Sequence, residues 1–142
     1  MIILDTNILS ELMRSQPNKC VLQWIGKYQT TSLFTTTLTK AEILYGLEIL
    51  PKSKRRISLK QAATSMFDID FALRIIPFDS DAAQQFAVIS ANRRKIGRPI
   101  AQIDAQIAAI ARSHNATLAT RNVSDFEECN IEIINPWEDF QC

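Results

Sequence analysis

Short apolar runs alternate with longer helical stretches along the whole of this chain, and that alternation limits the fold more than any other feature. "IILD" (2–5), "LFTTT" (33–37), "IIPF" (75–78), "ATLAT" (116–120) and "IEIIN" (131–135) are brief and rich in β-branched or apolar residues, as strands are. Pro77 shortens the third of them. The stretches between them read as helices. Residues 7–14 end at "SQPN", "CVLQWIGKY" spans 20–28, and "LTKAEILYGLEIL" spans 38–50 and is closed by Pro51. Over 53–74, Leu59, Ala62, Ala63, Met66 and Phe67 fall at i, i+3, i+4, i+7 and i+8, one face of a helix. Asp79 or Ser80 can cap the next helix, whose stripe is Ala83, Phe86, Ala87, Ser90 and Ala91, with a stop at Gly97 and Pro99. "IAQIDAQIAAIARSHN" (100–115) is the last. Strand–helix alternation of this kind predicts an α/β fold: a central, mostly parallel five-stranded sheet flanked by helices on both faces, in a single domain over 1–142.

Such sheets bind ligands at the carboxyl ends of their strands. Asp5 stands at that end of the first strand, and "TRNVSD" follows the fourth. The bulk properties leave this reading open. A chain of 142 residues buries about two-thirds of its unfolded surface. Its 46% hydrophobic and 22% charged content excludes a disordered chain. No apolar run approaches the roughly 20 residues of a membrane span. The start carries no basic leader and its apolar run breaks at Asp5, so no signal peptide and a cytoplasmic location are expected.

Cys20, Cys129 and Cys142 are odd in number and lack C-x-x-C spacing, which argues against a disulfide framework and a structural zinc site. Cys142 is expected to be exposed. His114, the sole histidine, sits where a helix ends and suits the helix dipole there. A Ser-His-Asp constellation would have to pass through it. Net charge is only +1, yet "KSKRR" (52–56) and "RRKIGR" (93–98) hold eight of the sixteen basic residues. Such blocks are ordinarily solvated helix faces. They gain meaning only beside a site that acts on a polyanion.

Asp5, Glu42, Asp104 and the pair Asn122 and Asp125 stand out because their neighbours are apolar or because they follow a strand directly. Each has a local alternative. Asp5 can cap the next helix, Thr39 to Glu42 has capping-box spacing, Asp104 suits a first helical turn, and Asp125 can anchor its loop. Taken together these alternatives explain less. Carboxylates in apolar surroundings are paired or bound to metal, and several of them gathered at one place repel unless a cation intervenes. Oxygen donors without histidine or thiolate suit Mg²⁺ or Mn²⁺. Such an ion activates water and stabilises the charge on a phosphate under attack. The set points to metal-assisted phosphodiester chemistry.

"ILDTNIL", "TKAEILYG", "IDAQIAAIA" and "LATRNVSDF" resemble, in order, the four signature segments of PIN-domain ribonucleases. Within that family the chain resembles VapC-type toxins of toxin–antitoxin pairs, and "DTNILSE" with "INPWEDF" is most similar to the FitB-like branch. The resemblance implies a PIN-like fold and a metal-dependent endoribonuclease. It implies Asp5, Glu42 and Asp104 as metal ligands, with Asp125 a further catalytic acid. Thr6, Asn7 and Thr120 match positions that orient the carboxylates or a bound water. Asn122 stands where relatives often carry aspartate; others place the acid three residues later, at Asp125 here. Asp5 and Asp104 would then share one or two metal ions with the scissile phosphate, while Glu42 positions or deprotonates the water. Lys54, Arg55, Arg94, Arg98 and Arg121 would hold the RNA backbone.

The resemblance further implies a VapB-type antitoxin laid across the site, operator DNA bound only through that antitoxin, a homodimer and a higher assembly with the antitoxin, and no membrane. Apolar contact surface is expected on the helices of Leu12, Trp24 and Tyr45. Two other readings compete. The chain could be an antitoxin-binding subunit of a DNA-binding regulatory complex with weak or no nuclease activity, which Asn122 keeps open. A phosphatase or phospho-acceptor built on Asp5 ranks last, because Asn7 stands where such enzymes want a second aspartate.

Overall fold

The computed structural model describes residues 1–142 and builds them around five strands: β1 (Ile2–Leu4), β2 (Leu33–Thr36), β3 (Ile75–Ile76), β4 (Thr117–Ala119) and β5 (Ile133–Ile134). Every neighbouring pair is parallel and the order is β3-β2-β1-β4-β5. Register is set by Ile3 opposite Phe34 on one side and Leu118 on the other. The chain leaves the central strand toward β2 and β3, then returns to add β4 and β5 beyond it. The order therefore reverses at β1, and the crevice of a doubly wound sheet opens at its carboxyl end.

Side chains alternate across each strand, so the two sheet faces can be read along β1 itself. Ile2 and Leu4 join a core with Ile8, Val21, Trp24, Ile43, Leu47 and Phe67. Ile3 points the other way, into a core with Ile89, Ile107, Ile110 and Leu118. Four helices cover the first face: α1 (Thr6–Leu12), α2 (Lys19–Ile25), α3 (Thr37–Glu48) and α4 (Lys54–Ser65). Two more, α5 (Ser80–Lys95) and α6 (Gln102–Ser113), cover the second. Side-chain oxygens of Asn18, Thr36, Ser53 and Asp79 accept backbone N–H bonds at the starts of α2, α3, α4 and α5. Each cap is worth about 1 kcal/mol. The parallel sheet with helices on both faces agrees with expectation, and the strands are shorter than their apolar runs by one to three residues.

Several local expectations change. Thr36, not Thr39, caps α3 by accepting from the Thr39 N–H at 3.1 Å. The Thr39–Glu42 capping box therefore does not form, and Glu42 lies one turn inside the helix. The helix expected over 53–74 ends at Ser65 and widens into a π-turn over Met66–Asp70, where the Phe71 N–H reaches back to the Met66 carbonyl at 2.9 Å. That turn sends Met66, Phe67 and Phe71 together into the core. Trp24 is a core residue, only 3% exposed, and Leu12 is half-buried. Of the three helices expected to offer apolar surface, α2 exposes Leu22 and α3 exposes Leu44 and Tyr45, the last at 68%, whereas α1 exposes no large apolar side chain. The cysteines also differ from expectation: Cys20 and Cys142 are joined by a disulfide across 122 residues of sequence, their Cα atoms 5.2 Å apart. No spacing rule reports a pairing that depends on where the tail returns to α2. His114 is exposed at the carboxyl end of α6, as expected. No helix is long and apolar enough to cross a membrane.

Candidate active site

Asp5 follows β1 directly and is 5% exposed. It begins α1 as its cap, since Oδ1 accepts the Thr6 N–H at 2.8 Å. Its other oxygen, Oδ2, accepts from Thr120 Oγ1 at 2.8 Å and from Asn7 Nδ2 at 3.2 Å. Cap and buried charge are thus one residue in two roles. Thr120, just beyond β4, uses its hydroxyl fully: it donates to Asp5 and accepts from Asn7 Nδ2 at 3.3 Å and the Asn122 N–H at 3.1 Å. Asn7 spends its carbonyl oxygen on the Arg121 N–H at 3.0 Å. The loops after β1 and β4 are thereby laced together across the crevice.

Glu42 reaches the same place from α3. Its Oε1 accepts from Thr6 Oγ1 at 2.7 Å, and Thr39 Oγ1 lies 3.4 Å from the same hydroxyl. Asp104 arrives from the first turn of α6, half-buried and without a hydrogen bond from the chain. Asp5, Glu42 and Asp104 face one cavity of about 640 Å³. They are not drawn into a closed ligand cage.

The electrostatics show what the gathering costs. Burial, then the neighbouring charges of Asp125, Asp5 and Glu42, push the Asp104 carboxyl up to about 6, against a small opposing pull from Arg93. Burial also lifts Asp5 above its ordinary value, with Glu42 adding to the rise, although the bonds from Thr6, Thr120 and Asn7 work the other way. Burial is the larger cause at both carboxyls, and the like charges gathered beside them add to it.

Asp125 stands in a 3₁₀ turn (Val123–Phe126), exposed and outside the cavity walls, yet close enough to act on Asp104. Asn122 lines the cavity, as do Thr6 and Asn7. Of the five basic positions expected near RNA, Arg55 and Arg121 line it, whereas Lys54, Arg94 and Arg98 do not. Arg98 is engaged with Glu127 at 3.0 Å.

Two features of the site carry no obvious flag in the sequence. Arg14 lines the cavity and also a neighbouring pocket of about 720 Å³ between α1, α3 and α4. It pairs at 3.2 Å with buried Glu11, which also accepts the Asn18 N–H. Positions 7 and 11 lie one turn apart on α1 and Arg14 follows just past its end, a polar spacing at i, i+4 and i+7 that could have found both. Arg93, grouped with a solvated basic run, is only 4% exposed. Its guanidinium binds the carbonyls of Arg98, Asp125 and Glu127 at 2.7, 3.0 and 3.0 Å, fixing the backbone of the turn that carries Asp125.

Residues 2–129 match the family model of the PIN domain. The chain belongs to the PIN-domain family. Among its PIN relatives, VapC ribonuclease Y4jK of Sinorhizobium fredii is 38% identical over 138 residues, 97% of this chain and 99% of that one. Toxin FitB of Neisseria gonorrhoeae is 35% identical over 139 residues, 98% of this chain and all of FitB. The crystal structure of FitAcB from the same organism superposes with a TM-score of 0.91 over 97% of this chain and 99% of that one. The resemblance to the VapC family and its FitB-like branch therefore extends to sequence and fold alike.

Proposed function

We propose that this PIN-domain protein is the toxin of a type II toxin–antitoxin system, a divalent-metal-dependent endoribonuclease that hydrolyses phosphodiester bonds of a cellular RNA in the cytoplasm. The observation that carries the reading is the convergence of Asp5, Glu42 and Asp104, from three separate elements, on one cavity at the strand-order reversal, with Asp104 pushed up to about 6. Relatives named ribonuclease support it.

The donor set fits a hard divalent cation. The acids are oxygen donors only, burial and neighbouring negative charge raise Asp5 and Asp104, and Asp104 has no hydrogen bond to satisfy it. Asp5 and Asp104 would hold Mg²⁺ or Mn²⁺, with Glu42 beside them. Bound there, the ion would lower the pKa of a water and offset charge on the phosphate. The chain's own residues do the rest. Thr120 and Asn7 aim Asp5 Oδ2, and Thr6 fixes Glu42 by its Oε1. Oε2 is left free to take the proton of the attacking water as the phosphorus–oxygen bond to the leaving sugar breaks, and solvent protonates the departing sugar oxygen. Asn122 adds a neutral polar group at the wall, and Asp125 adds negative charge from behind Asp104. Arg14, Arg55 and Arg121 ring the cavity and supply positive charge for the RNA backbone.

The partner follows from the relatives. The similar structures include FitAB bound to a DNA fragment and VapBC complexes. In our reading a VapB-type antitoxin covers this site and carries operator DNA, the toxin pairs as a homodimer, and residues 1–142 act as one unit. Purified, antitoxin-free protein should cleave cellular RNA with Mg²⁺ or Mn²⁺, and neither the chelated protein nor Asp104→Asn should do so. Metal-bound, folded protein that cleaves no RNA but binds its antitoxin would instead establish a binding subunit, with Asn122 the first residue to examine.

A further inference from the structure

Trp137 is the one apolar side chain in the wall of the carboxylate cavity. The turn that presents it is pinned: the Trp137 N–H donates to Asn135 Oδ1 at 3.0 Å, and the N–H of buried Asn135 donates to Asp139 Oδ2 at 2.8 Å. The indole packs against the core that holds Leu4 and Ala119 and carries the Arg121 guanidinium 5.0 Å from its ring centroid. Arg121 is exposed, and the carboxylates of Asp5, Glu11, Glu42 and Asp104 line the same cavity, yet it forms no salt bridge with any of them. Its backbone is tied at 3.0 Å to Asn7 Oδ1, and Asn7 in turn binds Asp5 Oδ2. A planar cation is thus laid on an aromatic ring at a fixed remove from the first acid of the site.

An arginine meant only to neutralise the acids would point at them, and one meant only as a phosphate contact needs no ring beneath it. An indole and the planar guanidinium over it are the kinds of flat surface on which unpaired nucleobases stack. Stacking also keeps the edge N–H groups free for a phosphate.

We propose that Arg121 and Trp137 form a stacking platform for the base of the nucleotide beside the scissile phosphate, so that the substrate is RNA with that base unpaired. This rests on the ribonuclease reading and names what that site selects. A base paired within an A-form helix cannot leave its stack to reach the platform, so duplex RNA is a poor ligand.

The test measures binding apart from cleavage. In the Asp104→Asn background, fluorescence anisotropy follows a short single-stranded RNA in which one abasic nucleotide is walked through every position, with and without Arg121→Lys. Lysine keeps the charge and loses the plane. The intact RNA should bind the Arg121→Lys protein about 10-fold more weakly. One abasic position should cost the protein that retains Arg121 about the same factor and the Arg121→Lys protein less than about 2-fold, because the two changes remove one interaction. Trp137→Phe should retain most of the affinity. Arg121 is exposed, so Arg121→Lys leaves the fold intact, which a thermal melt verifies. Unchanged binding by Arg121→Lys, or an abasic penalty equal in both proteins, overturns the platform. Cleavage of the intact RNA by the unsubstituted protein is scored beside it. RNA binding with the predicted abasic pattern but no cleavage refutes the nuclease reading and leaves the platform standing. Absence of RNA binding overturns both.

Discussion

Asp104→Asn should make the metal-free protein more stable, although the proposed function has it lose cleavage. Asp104 sits among Asp5, Glu42 and Asp125 and accepts no hydrogen bond from the chain, so an amide loses no partner there. Its carboxyl is pushed from 3.8 up to about 6. The folded state therefore holds the proton more tightly than the unfolded chain does. The stability this proton contributes is fully present below pH about 3.8 and is lost as pH rises through about 6. At about 1.4 kcal/mol per pKa unit the full penalty at neutral pH would be about 3 kcal/mol. Asp104 is only half-buried, and solvent screening reduces this to about 1 kcal/mol.

For a chain of this length that is a rise of about 4 °C in Tm. The assay is a thermal melt in chelator at pH 7.5 and pH 5.0. The variant should melt about 4 °C above the parent at pH 7.5, and the gap should shrink by about half at pH 5.0 as the parent gains its proton. Mg²⁺ at a hundredfold excess over Kd should then raise the parent by about 2.7 kcal/mol and leave the variant nearly unmoved. A variant that melts at or below the parent at pH 7.5, or a gap that ignores pH, would refute the reading of these acids as mutually repelling.

Three other outcomes follow from the same contacts. Arg93→Met strips the carbonyls of Arg98, Asp125 and Glu127 of their donor and should lower stability by about 3 kcal/mol, read from urea denaturation; Arg93→Lys should recover part of it. Thr120→Val, close in volume, leaves Asp5 Oδ2 short of its hydroxyl donor; it should cost about 1–3 kcal/mol in the same assay and weaken Mn²⁺ binding followed by calorimetry. RNA affinity should fall steeply with salt; Arg14→Ala and Arg55→Ala should each reduce the log–log slope by about 0.7, and Lys54→Ala or Arg94→Ala should leave it unchanged.

The strands and the acids were readable because their signals are local. Ile2–Leu4 is a continuous apolar run ending on a charge, and Asp104 interrupts an alanine–isoleucine helix, so composition within a few residues identifies both. What the sequence hides depends on distant partners. Arg93 looks like any member of a basic run; its burial is decided by carbonyls more than thirty residues further on. Thr36 and Thr39 are equal candidates to cap α3 within "TTTLT", and only the point at which β2 ends its extended backbone selects Thr36. Trp24 on a short helix can cover a core or face outward, and the sheet beneath it chooses. The meeting of Cys20 with Cys142 depends on the path of the whole tail.

The central position of β1 has a consequence for how the protein is made. Synthesis delivers Asp5 first, but its flanking strand β4 and its hydroxyl donor Thr120 come 112 to 115 residues later, and Trp137 later still. A parallel sheet cannot close on a strand that does not yet exist, and its non-local pairings form slowly. Through most of translation Asp5 has no wall beside it and Arg121 has no ring to rest on. On the ribonuclease function proposed above, such a chain gains its activity only once this sheet has closed, and so spares the message and the ribosome producing it.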